Sequence, residues 1–204
     1  YEPFVFGNSK DKDSKALYAK AMKYFIVIAL LAFLVVMFYM DILRHIISPG
    51  YWSGLKVVPI IMAAEIFMGI YFNLSFWYKL NDETYWGAIF SFVGCALLFV
   101  INILFVPQYG YMACAWASFT GYFTAMLLSY FVGQKRNAIN YDIKDIFKYV
   151  ALFGAVYGIS LLLPIENSIL KMACNTLLLG IYIAYFIKKD LPLKSIPVIN
   201  RFFR

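Results

Sequence analysis

Histidine occurs once in this chain, and charge of either sign is thin. The single His45 excludes a metal centre built on paired histidines. It stands beside Arg44 at the end of an apolar run, where an interfacial role is expected rather than that of a triad base. The three cysteines, Cys95, Cys114 and Cys174, lie inside apolar runs without metal-ligand spacing, so neither a disulfide framework nor a metal or other cofactor is expected. No glycine-rich phosphate loop precedes a basic helix residue, and Asn73-Leu74-Ser75, although a glycosylation sequon, falls inside an apolar segment. Paired acids and nucleophiles are too few and too scattered for a membrane hydrolase or transferase, so no enzyme and no catalytic residue is expected.

The scarcity of charge bounds the class. Charged residues make up 14% of the 204, against roughly 25% in ordinary soluble domains. Hydrophobic residues reach 63% and the mean hydropathy is +0.74, more apolar surface than a soluble core of this size could bury. Lipid must solvate part of it. The net charge of +7 does not point to nucleic acid, because the basic residues flank apolar runs instead of forming one patch. The chain begins at Tyr1, not Met, and its first apolar hexapeptide (residues 1–6) resembles the end of a longer segment; a fragment of a larger protein is expected.

The pattern predicts an all-α integral membrane protein with six spans, over residues 16–43, 57–79, 84–106, 111–134, 146–165 and 168–188. Ser14 can cap the first and Asn167 or Ser168 the last. Pro49-Gly50 breaks the chain, Tyr51 and Trp52 supply interfacial aromatics, and Pro59 fits the first turn of the second span. Residues 84–134 contain no charge; a span needs about 20 residues, so Pro107-Gln108-Tyr109-Gly110 must divide that run into a helical hairpin. Residues 134–148 read as a polar loop, and residues 138–204 as an additional two-helix pair with a basic tail, set apart from a lobe formed by residues 1–137.

Small residues recur every fourth position in the fourth span: Ala113, Ala117, Gly121, Ala125, Ser129 and Gly133. The third span has a shorter stripe, Gly87, Ser91 and Cys95, and the fifth has the pair Gly154 and Gly158. Such stripes let helix backbones approach closely in lipid, so they locate packing interfaces rather than chemistry.

One carboxylate, Glu65, lies within the second span, about 4 Å from its middle. A charge there costs about 2.5–3.5 kcal/mol on insertion scales. It is either a protonated or hydrogen-bonded structural group, or a lining residue of a polar cavity. Asn73 follows two turns later near the same face, and Asn102 lies in the third span; both are candidate lining residues, with interhelical hydrogen bonding as the alternative. Six spans place both ends on one side together with fifteen of the eighteen Lys and Arg residues. Arg44, Lys56 and Lys171 remain on the other, so the ends are expected to be cytoplasmic.

Several strings carry a resemblance. Tyr1-Glu2-Pro3-Phe4, Val57-Val58-Pro59, Gly69-Ile70-Tyr71-Phe72-Asn73-Leu74-Ser75, Trp77-Tyr78-Lys79 and Pro107-Gln108-Tyr109-Gly110-Tyr111 running into Ala115-Trp116-Ala117 resemble bacterial polysaccharide-biosynthesis exporters. These are O-antigen-type oligosaccharide flippases of the multidrug/oligosaccharidyl-lipid/polysaccharide exporter superfamily, MATE-like transporters with two pseudo-symmetric helical lobes and a terminal helix pair. The resemblance implies that this chain is the C-terminal part, in a bacterial inner membrane, with a first lobe missing. It implies flipping of an undecaprenyl-pyrophosphate-linked oligosaccharide for O-antigen or capsule synthesis by alternating access, with Glu65, Asn73 and Asn102 toward the cavity. The fifth and sixth spans would offer a groove for the polyprenyl tail. A multidrug or cation antiporter of the same superfamily and, further off, a membrane enzyme of envelope polysaccharide assembly are the alternatives.

Overall fold

The computed structural model describes residues 14–163 and 168–190, and these are helical throughout, with no strand among them. The expected apolar hexapeptide, the Asn167 cap, the end of the fifth span at residue 165 and the basic tail beyond residue 190 lie outside the described residues.

The order is α1 (Ser14–Phe38), the short α2 (Met40–Leu43), 3-10 turns at Arg44–Ile46 and Pro49–Val57, then α3 (Val58–Leu74). There follow α4 (Phe76–Leu80), α5 (Tyr85–Tyr109), α6 (Tyr111–Arg136), α7 (Ile143–Leu162) and α8 (Ser168–Asp190). Five stretches are long and apolar enough to cross a membrane: those of α1, of α3 with its flanking turns (Pro49–Leu80), of α5, of α7 and of α8.

The remaining expected span, the fourth in chain order, is α6, which at 26 residues is the longest described helix but is not among those five. It carries Ser118, Thr120, Gly121, Thr124, Ser129, Gly133 and Gln134, and its small face is covered by protein. A helix shielded in this way needs less apolar surface than one turned to lipid. Two of its hydroxyls are satisfied within the helix: Thr120 donates to Trp116 O at 2.9 Å and Thr124 to Thr120 O at 2.7 Å.

Boundaries follow local chemistry. Pro59 sits in the first turn of α3, where its missing N–H leaves no gap in the ladder. The helix breaks at Ser75, whose hydroxyl donates to Phe72 O at 2.7 Å. The hairpin turn is shorter than expected. Pro107 stays inside α5, which runs on to Tyr109, and the reversal is made at Gly110 alone, with φ +54° and ψ −138°. Side chains disfavour that backbone, so glycine is required there. The polar loop is shorter too: α7 begins at Ile143, not near residue 146, because the Asp142 carboxylate accepts the Asp145 N–H at 3.1 Å and caps the first turn.

The helices pack in two groups. In one, α6 is flanked by α5 and α3, with Phe67 of α3 set against Phe119 and Phe123 of α6 at ring-centroid distances of 5.1 and 5.0 Å. In the other, α7 and α8 pack on α1, where the Phe33 ring meets Phe153 edge-on at 5.0 Å. The α1–α3 contact joins the groups, with Leu74 reaching into the cluster of Met22, Ile26, Leu34 and Tyr182.

Candidate functional site

Glu65 emerges on the side of α3 that packs against neither partner. The face toward α6 and α5 carries the buried Ala64 and Tyr71, and the face toward α1 carries Ile66 and Ile70. Glu65 and Phe72, seven residues apart, share the exposed face between them. Among the described residues, Glu65 makes no hydrogen bond or ion pair. Bare lipid would leave a carboxylate at this depth unsatisfied, so the face calls for a polar or aqueous counterpart.

Beside it runs an apolar groove of about 710 Å³ between α1 and α3, lined by Tyr24, Phe25, Ile28, Gly69, Phe72 and Asn73 among others. Phe25 lies directly over Gly69; a Cβ at residue 69 would stand 2.1 Å from its ring. Glu65 is one turn of α3 beyond Gly69, and Asn73 one turn on the other side. The Asn73 amide donates back to Gly69 O at 2.9 Å.

Asn102 is not brought into this groove. It belongs to α5, whose outward face carries the exposed Phe92, Phe99, Ile103 and Leu104. Its amide donates to Leu98 O of its own helix at 2.9 Å, and its Oδ1 is buried without a partner among the described residues. His45 also stays apart, its Nδ1 2.7 Å from Asp41 O at the rim of a cavity of about 240 Å³.

The packing residues divide. Ala113, Ala117, Gly121, Ala125, Ser129 and Gly133 of α6 are all buried. On α5, Gly87 lies against the Tyr78 ring, where a Cβ would stand 2.9 Å away, and the backbone approach to α6 falls at Gly94; Ser91 and Cys95 are exposed, although Ser91 Oγ lies 3.0 Å from the Tyr71 hydroxyl. Among the described residues nothing faces Gly154 or Gly158: a Cβ at either meets no atom within 4 Å. The α7 residues that are buried are Tyr149, Val156 and Ser160.

Two polar networks went unread in the sequence. In the first, the Tyr71 hydroxyl donates to Gly87 O at 3.1 Å, lies 3.0 Å from Ser91 Oγ and receives Tyr78 OH at 3.4 Å, which ties α3 and α4 to the start of α5. In the second, Lys23 of α1 reaches Asp145 of α7 at 2.9 Å and Asp190 of α8 at 2.5 Å. Asp145 also accepts Lys148 at 3.1 Å and Lys189 at 2.6 Å, and Asp190 accepts the Tyr149 hydroxyl. The only advance signal was that Asp145 and Asp190 stand among lysines next to apolar helices.

Five helices of this length and apolarity among the described residues mark a multi-pass helical membrane protein. Comparison with protein-family models, with curated proteins and with solved structures finds no match for this chain.

Proposed function

We propose that this chain is the C-terminal portion of a membrane exporter that flips a lipid-linked oligosaccharide, with the α3 face bearing Glu65 forming part of the cavity wall. One observation carries the reading: a carboxylate within an apolar span lies on a face that no described helix covers. A second lobe facing it across a water-filled cavity would give that carboxylate its polar surroundings and a route for a sugar headgroup. The quoted sequence resemblance, Pro107-Gln108-Tyr109-Gly110-Tyr111 running into Ala115-Trp116-Ala117 above all, supplies the substrate class. The α3–α5–α6 group suits a body that rocks without deforming, since α5 and α6 meet at backbone distance and α3 locks onto α6 through Phe67, Phe119 and Phe123.

In this reading the chain ends are cytoplasmic and α6 is a sixth span. A pyrophosphate moving outward in an energised membrane gains about 2.3 kcal/mol per charge per 100 mV, so the potential alone can drive the step, with Glu65 available for a coupled proton. The test is export of polymer by the intact transporter at equal expression. Glu65→Gln is expected to impair export more than Asn102→Ala. Unchanged export with Glu65→Gln would remove Glu65 from its assigned place.

A further inference from the structure

The α1–α3 groove is apolar along its length and cationic at one end. Tyr18 of α1 stacks on Phe76 of α4 at 5.9 Å, and Phe25 covers Gly69, so the two helices run antiparallel with residues 17–21 level with Asn73. Lys20 belongs to that level. It is exposed, its ammonium lies 5.9 Å from the Tyr24 ring, and it has no carboxylate partner among the described residues. Lys23, one turn away, is by contrast held by Asp145 and Asp190. From Lys20 the groove passes Tyr24, Phe25 and Ile28 on one wall and Phe72 and Gly69 on the other, toward the level of Glu65.

A cation without a carboxylate partner among the described residues, at the start of a helix long and apolar enough to span and opening onto an apolar trough, matches one kind of molecule: an amphiphile with an anionic head and a hydrocarbon tail. We infer that the groove holds one anionic phospholipid of the leaflet at the Lys20 end, its phosphate on Lys20 and an acyl chain along Phe25, Ile28 and Phe72 that ends short of the level of Glu65, which does not line the groove. The inference stands on the groove and its charge, and does not depend on what the protein exports.

The test reconstitutes the intact protein that carries this chain in phosphatidylcholine vesicles containing phosphatidylglycerol, with a photoactivatable side chain in place of Phe72. A second sample carries it in place of Phe92, on the exposed face of α5. At equal mole fractions, crosslinking from residue 72 should favour phosphatidylglycerol by about fivefold, as expected of one lysine near an anionic headgroup, and residue 92 should show no preference. Lys20→Gln should bring residue 72 to parity, while Lys144→Gln, which removes an exposed charge of α7, should leave the preference intact. Parity at residue 72 in the unaltered chain, preference surviving Lys20→Gln, or adducts to peptide instead of lipid (the groove filled by another part of this chain or a second copy) would each overturn the inference.

Discussion

Gly94 of α5 and Gly121 of α6 stand backbone to backbone, each placed so that a Cβ on it would lie 2.9 Å from the carbonyl oxygen of the other. No side chain separates the two helices at this level, and backbone cannot swing aside as a side chain would. In lipid such contacts hold helices together by dispersion and short-range packing.

Gly121→Ala should therefore push α5 and α6 apart and cost about 1–3 kcal/mol, the range for overpacking a tight contact. Thermal unfolding of the detergent-solubilised chain measures it as a fall in Tm. An unchanged Tm would show that the helices do not meet at this point.

Gly154→Ala supplies the opposite case. A Cβ there meets nothing within 4 Å, and alanine favours a helix over glycine by about 0.8–1.0 kcal/mol, so Tm should rise or hold. A loss comparable to that of Gly121→Ala would mean that the α7 face is covered in the folded protein.

Asp145 binds three lysines, and its side chain is only 14% exposed. Asp145→Asn should loosen α1, α7 and α8 together at a cost of about 1.5–3 kcal/mol, the worth of hydrogen bonds to a charged group. Lys148→Gln should cost no more than about 0.5 kcal/mol, because that lysine is 60% exposed and water screens its pair. Equal losses from the two variants in a chemical-denaturation series would contradict the clamp.

Ser160 donates to Asn175 Oδ1 at 2.7 Å between α7 and α8, with both residues buried. Ser160→Ala strands the Asn175 oxygen and should cost about 1–3 kcal/mol, whereas removing both groups together by Ser160→Ala with Asn175→Leu should restore most of it. A double-mutant cycle on unfolding free energies reads the coupling directly, and strict additivity would refute it.

Much of the fold was legible because its determinants are local. Runs of apolar residues marked the long helices, and Pro59 marked the start of α3. The four-residue recurrence from Ala113 to Gly133 marked the covered side of α6. The errors arose where a local feature has two outcomes. Pro107 can end a helix or sit in its last turn, and only the Gly110 backbone decides. Cys95 adjoins Gly94, but one residue rotates a helix face by about 100°, and the partner helix selects which face is used. Gly154 and Gly158 match a packing motif with no partner on that side among the described residues. The Lys23–Asp145–Asp190 cluster joins residues more than 120 positions apart, which no spacing rule can anticipate. For the candidate site, the position of Glu65 within an apolar stretch was readable. Its exposure was not, because that depends on which helices pack against α3.

The shielding of α6 bears on how the chain is built. A helix with three threonine and serine hydroxyls and two glycines between Ser118 and Gly133, besides Ser129, has little drive to leave water for lipid alone. The single-glycine reversal at Gly110 fastens it to α5, among the most apolar of the helices. In the six-span reading the two must enter the bilayer as one hairpin, α5 drawing in its less apolar neighbour. Lengthening the connection at Gly110 would then show itself in membrane insertion before it showed itself in transport.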